Sequence, residues 1–455
     1  AVTTHPASAR PSADQPSATQ PKSERSNAAA PTSAGPEAAH ERGLVPHVFT
    51  VQPYDNFADA VARGILARCA SLGIPVAGAD SRLGAGADVR SGAGQDGAPA
   101  FLLSDITLLL PNKRSIKTMS DAFLRALDGQ ACLLPRLRAI GDLDETDVSA
   151  ALLAGPEGDV ARTDGAPLAP AIDPLLRRAL LMRQVAAWGG GQVERISAAQ
   201  SWRLAVSLER FLEDVETAGL GFDVLHARLT DLVPDTMARH WAHTLSFLSL
   251  VSEVWPRLLD AYGTLDPAQR RDILLRRLAR AWAHVPPKGP VLAAGSTGSI
   301  PATAELLRVV ARMPSVSAFP SGVILPGLHA DMDDASWQAL GPTHPQHAMR
   351  RLLEAIGASR HEVSVWHSLA PTTLPVSAQA PHRRTAWVRD ALRPAETTSD
   401  WVYLPYSSED TLMNGLEMVS ASNRREEAGV IALAMREVLE VPGKTCALVT
   451  PDRHL

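Results

Sequence analysis

The chain lacks an excess of positive charge: 44 Lys and Arg stand against 49 Asp and Glu, a formal net charge of −5. Dedicated nucleic-acid binders carry a basic surplus, so any contact with a phosphate backbone has to be local. Cysteine is scarce as well. Cys69, Cys132 and Cys446 lie far apart and form no CxxC pair or metal-ligand spacing, which argues against a zinc site or a disulfide framework. They read as reduced thiols in a cytoplasmic protein. Long hydrophobic runs are missing; none approaches the roughly 18 residues of a membrane-spanning helix. The first residues also lack the charged-then-apolar layout of a signal peptide.

What is present is an ordinary globular composition with 45% apolar residues in 455, enough for two or three domains at about 150 residues each. Residues 1–43 are the exception. They are rich in Ala, Ser, Pro and Thr, without aromatics, Leu or Ile, and are expected to be disordered. Gly-rich stretches at 78–100 and 155–170 read as loops or insertions. The missing initial Met and the end at Leu455, just after a strand-like segment, read as a fragment of a longer chain.

Between those stretches the order of elements carries information. Continuous apolar strands are expected at 48–51, 106–110, 290–294 and 322–326. Amphipathic helices follow each, with Val61, Ile65 and Cys69 in phase in the first and Ile116, Met119 and Phe123 in the second. Such alternation predicts an α/β domain over 44–370 with a parallel sheet covered on both faces. From 171 to 285 the pattern turns wholly helical, as expected of an insertion. Residues 371–400 read as a connector. The segment 401–455 reads as the start of a second α/β unit, with strands at 416–421 and 445–450 around a helix at 426–439.

A nucleotide-hydrolysing α/β domain places a Gly-rich, Lys-containing loop after its first strand. Here that position reads QPYDNFADA (52–60), without Gly or Lys, and Asp55 or Asn56 looks like a helix N-cap. Motor ATPases also carry a metal-binding carboxylate after a core strand; the 290–294 strand ends in Ala293 and Ala294. The loop that follows, GSTGSIPA, brings Thr297, Gly298 and Ser299 to a helix start. Its chemistry suits a phosphate oxygen, or else its hydroxyls cap the helix and its glycines shape the turn. The turn PNKRSIK places Lys113, Arg114 and Lys117 at the carboxyl end of a strand, where open α/β sheets bind ligands. Phosphate contact and an ordinary solvated helix start are both open there. Asp331, Asp333 and Asp334 read as a solvated turn capping the helix at Trp337 rather than as a metal site. His344 and His347 have no third ligand and read as structural. No catalytic residue set emerges from spacing.

From His47 onward the chain resembles the AddB family of alphaproteobacterial type. The resemblance rests on ordered strings: ITLLLPNKRSIKTMSDAFL, CLLPRLRAIGDLDE, VLAAGSTGSIPATAELLRVVA, VILPGLHADMDDASW, HPQHAMRRLL, ALRPAETTSDW and REEAGVIALAMREVLEVPGKTCALVTPDR. AGSTGSIPAT and the pair REEA…ALVTPDR are the more specific. What the resemblance implies is a P-loop-NTPase-like, superfamily I helicase-like domain with degenerate ATP motifs. It also implies an AddA-type motor subunit as heterodimeric partner and action on double-stranded DNA ends and single-stranded DNA in break repair. ATP and Mg would act through the partner and through a nuclease domain beyond Leu455, where the family's nuclease carboxylates and iron–sulfur cysteines would also lie. By position Lys113 and Arg114 match the helicase turn that touches single-stranded backbone. Thr297, Gly298 and Ser299 match the turn after the third core strand, which contacts nucleic acid or supports the core. Two other classes stay open: a nucleotide- or sugar-nucleotide-binding enzyme using the GSTGSIP loop, and an architectural partner of AddA.

Overall fold

The computed structural model describes residues 45–74, 102–143 apart from 129 and 131, 146, 168–189, 197–219, 250–366, 380–405, 415–450 and 452. The 1–43 tail, the 78–100 stretch, 155–167 and 240–249 lie outside them.

Six parallel strands form one open sheet: β1 (Val48–Val51), β2 (Thr107–Leu110), β3 (Arg136–Ala139), β4 (Val291–Ala294), β5 (Gly322–Pro326) and β6 (Ser364–Val365). Their spatial order is β3-β2-β4-β5-β1-β6, with every pair parallel. Successive side chains alternate between the faces, and both faces are dry. Leu108, Leu110, Leu292, Ala294 and Ile324 pack with α1 (Phe57–Ser71) and α2 (Lys113–Ala126). Leu109, Val291, Ala293, Val323 and Leu325 pack on the other face with helices from the second half of the chain. The expected strand at 48–51 and the one at 322–326 stand as read; those at 106–110 and 290–294 each begin one residue later.

Two strands escaped the sequence reading. Arginines alternate in β3, a sheet-edge strand with exposed positions, and β6 is only two residues long. Asn56, one of the two expected caps, accepts the N–H of Asp59 and opens α1.

Between β3 and β4 the described chain is helical: α3 (Pro174–Gly189), α4 (Ala198–Thr217), α5 (Trp255–Tyr262) and α6 (Pro267–His284). These helices have a core of their own around Leu181, Leu212 and the fully buried Trp255. Helix α6 joins the two cores. Its Asp266 cap lies in the helical cluster beside Arg177, while Leu274, Leu275, Leu278 and Trp282 belong to the sheet cluster.

Helix α7 (Pro301–Ala311) follows β4; α8 (Asp334–Gln338) and α9 (His347–Ile356) follow β5. Asp333 caps α8 by accepting the N–H of Ser336 at 2.8 Å, as expected for that turn. His344 and His347 also act locally: His344 Nδ1 accepts the Gln346 N–H, and His347 Nδ1 bonds the Leu340 carbonyl.

Over its described part, the stretch read as a connector, 371–400, carries helix. Residues 380–391 form α10 (Ala380–Ala391), followed by a 3-10 helix, Ala395–Tyr403. The cause is electrostatic. Arg389 pairs with Asp331, and Arg393 pairs with Asp333 at 3.0 Å and Asp400 at 3.3 Å. Trp401 Nε1 donates to the Asp390 carbonyl at 2.7 Å, and the Ser336 and Thr397 hydroxyls meet at 2.9 Å in a buried contact.

The strands expected at 416–421 and 445–450 are corrected. Among the described residues neither segment joins a ladder, and between them α11 (Arg424–Leu439) buries no residue. Residue type favours extended backbone there, but a strand exists only where a neighbour supplies the ladder.

Candidate nucleic-acid interface

A parallel sheet binds ligands beyond the carboxyl ends of its strands, where neighbouring strands send their chains to opposite faces. Two such crevices follow from the order of this sheet. One lies between β1 and β5, the other between β2 and β4. In each pair the first strand leads to α1 or α2 on one face, and the second leads to helices on the other.

The first crevice is closed by backbone and an aromatic ring. Gly327 donates its N–H to the Val51 carbonyl at 3.0 Å, and Leu328 donates to Thr50 Oγ1 at 3.0 Å. Gly327, at φ +77°, lies so close that an added Cβ would stand 3.3 Å from Pro53 Cα. The Gln346 amide ties the turn by donating to the Gly327 carbonyl and accepting the His329 N–H. Phe57, at the first turn of α1, reaches across to Gly295 after β4, where an added Cβ would stand 3.0 Å from the ring edge. Burial raises the Tyr54 hydroxyl above its ordinary value, with Asp55 adding to it. A triphosphate with its metal ion does not fit these residues. Phe57 lies where backbone amides and a lysine would be needed, and the β4 end offers only Ala293 and Ala294. Among the described residues no group of three or more His, Cys, Asp or Glu is placed to hold a metal ion.

The second crevice is where the six candidate residues divide. Asn112 caps α2 by accepting the Ser115 N–H at 3.0 Å, which starts the helix one residue before Arg114. Lys113, Arg114 and Lys117 are all exposed on its first turns. Lys113 forms an ion pair at 3.3 Å with Asp142, from the short helix after β3, and the two side chains are 81% and 44% exposed. So open a pair is worth little and screens readily, leaving the ammonium able to exchange Asp142 for a phosphate. The positive end of the helix dipole slightly disfavours the cations themselves and favours an anion bound beside them.

The GSTGSIP loop behaves differently. Gly295, at φ +80°, continues the ladder by donating to the Ile324 carbonyl. Gly298, at φ +59°, turns toward the opposite face, and an added Cβ would stand 2.6 Å from Leu352 Cδ1 of α9. The hydroxyls do not cap α7: its N-cap is Ile300, which makes no side-chain cap bond, and Pro301 follows. Thr297 is half-buried and Ser299 exposed. Lys113, Arg114 and Lys117 thus stand together on one helix start, while Gly298 and Ser299 line a cleft between α7 and α9.

Sequence reasoning missed Phe57, which reads as a core aromatic, and Asp142, whose proximity to Lys113 depends on the unforeseen strand β3. It also missed the basic cleft residues Arg308 and Arg351, which no local motif marks. Among the described residues no helix is long and apolar enough to cross a membrane. No protein-family model and no curated protein sequence matches the chain.

Proposed function

We propose that this chain is the non-motor subunit of an AddAB-type DNA helicase–nuclease, built on a superfamily I helicase-like core whose ATP site is lost. The observation that carries the reading is the contrast between the two crevices. The one suited to a nucleotide is filled by Phe57 and the Gly327 turn, while the one beside β2 keeps three exposed cations at a strand's carboxyl end. A motor subunit must cradle phosphates and metal; a strand-guiding subunit needs only local cations for the backbone. The net charge of −5 accords with contact confined to such a patch.

In this role Lys113, Arg114 and Lys117 hold the phosphates of a single strand drawn from a broken duplex end. Thr297, on the loop after the neighbouring strand β4, supports that path. The helical insertion, with its own core, provides a surface for the AddA-type motor, which supplies ATP, Mg and force. Cytoplasmic localisation belongs to the same proposal.

The test is equilibrium binding of a labelled single strand to Lys113→Ala and Arg114→Ala at two salt concentrations. Each lost phosphate contact flattens the salt dependence, by about 0.7 in the log–log slope for single strands. Unchanged affinity and slope in the double variant would remove the assignment.

A further inference from the structure

Helices α7 and α9 leave a cleft of about 420 Å³, within the range of sites that hold small ligands. Arg308 stands on the α7 wall, His347 and Arg351 on the α9 wall, and Gly298 and Ser299 at the mouth. The acids nearby are engaged: Glu305 by Arg276 at 2.7 Å and Glu354 by Arg350 at 2.8 Å. Arg276 also holds Asp272, and these carboxylates raise its pKa against the effect of burial. Arg351 is exposed on the cleft wall. His347 donates its Nδ1–H to the Leu340 carbonyl, which fixes the ring as part of the α9 wall. The small side chains of Ala304, Ala348 and Ala355 leave the space between the walls unfilled.

We infer that this cleft is a second phosphate-binding site, with Arg351 and Arg308 facing a phosphate group and the Ser299 hydroxyl bonding one of its remaining oxygens. Guanidinium groups match phosphate geometry, and two of them on facing walls add positive potential to a cleft whose lining carboxylate, Glu305, is paired with Arg276. Gly298 permits the close approach of the loop after β4 to Leu352, which sets Ser299 at the cleft mouth. The phosphate belongs either to a nucleic-acid strand, extending the track proposed above, or to a free nucleotide. The inference does not depend on Lys113 or Arg114.

The experiment titrates the whole chain into a fluorescent oligo-dT strand and, separately, into a fluorescent ATP analogue. Wild type, Arg351→Ala, Arg308→Ala/Arg351→Ala and Lys113→Ala are compared, with circular dichroism confirming the fold of each. Arg351 is exposed, so its single replacement leaves the core untouched. The expected result is roughly a threefold to tenfold loss of affinity in Arg351→Ala, deeper in the double variant, with the oligonucleotide slope flattened by about 0.7. Loss in the oligonucleotide arm identifies a strand, and loss in the nucleotide arm alone identifies a free nucleotide. Wild-type affinity in both arms for Arg351→Ala, or no binding of either probe by wild type, overturns the inference. An effect at Lys113 without one at Arg351 removes this cleft and leaves the proposed function standing; the reverse removes Lys113 and keeps the cleft.

Discussion

Glu216 allows a sharp prediction about the helical insertion. Arg177 is almost fully buried and donates to Asp266 through Nε at 2.9 Å and to Glu209 through Nη1 at 3.3 Å. Asp266 is itself fully buried and also caps α6. Glu216, at the end of α4, faces this cluster with its Oε2 buried. Burial, then the charge of Asp266 and a hydrogen bond with it, push the Glu216 carboxyl from its ordinary 4.5 up to about 8; Arg177 and the Gln269 backbone oppose the rise. An unfolded glutamate releases its proton near 4.5, whereas the folded one holds it to about 8. The stabilisation is therefore complete below the unfolded value, declines as pH rises through the interval, and is gone above about 8. At 1.36 kcal/mol per pH unit the interval corresponds to roughly 5 kcal/mol. Glu216→Gln keeps the shape and neutral state at every pH, so its stability should be nearly flat where wild type declines. Urea unfolding between about pH 5 and pH 8.5, followed by tryptophan fluorescence, measures this, with Trp255 buried in the neighbouring helical core. Parallel pH dependences in wild type and Glu216→Gln would refute the reasoning.

Three further outcomes are expected. Gly64→Ala would place a Cβ 2.1 Å from Trp366 Nε1; the clash should cost about 1–3 kcal/mol, exceeding the roughly 1 kcal/mol gain in helix propensity, as read from a lowered melting temperature. Arg177→Ala leaves Asp266 buried without its cation and should cost about 3–5 kcal/mol in urea unfolding. Arg389→Ala and Arg393→Ala together remove the cations that hold α10 to Asp331 and Asp333; limited proteolysis should then cut within 380–403 faster, an effect that high salt reproduces in wild type.

The four central strands were legible because continuous apolar runs such as TLLL and VLAA have no other economical place than a sheet covered on both sides. Strand β3 was not, since its alternating arginines suit a sheet edge, and that position is set by the rest of the sheet. Segments 416–421 and 445–450 erred the other way: residue type alone supplied the strand, and pairing was absent among the described residues. Helix α10 was hidden because its docking depends on Asp331 and Asp333, remote in sequence. At the site, the lack of Gly and Lys after β1 could be read directly. That Phe57 occupies the space, and that Gly298 packs on Leu352 so that Ser299 lines the α7–α9 cleft, follows only from three-dimensional packing.

The central claim, a DNA-guiding subunit without its own nucleotide chemistry, is tested most directly by fluorescence anisotropy. A labelled duplex end is titrated with this chain at two salt concentrations, with and without the AddA-type motor subunit. The account predicts salt-sensitive binding that strengthens with the motor subunit and is unchanged by ATP when the chain is alone. Absence of binding in both settings by a folded chain, or binding that requires ATP in the chain alone, would contradict it.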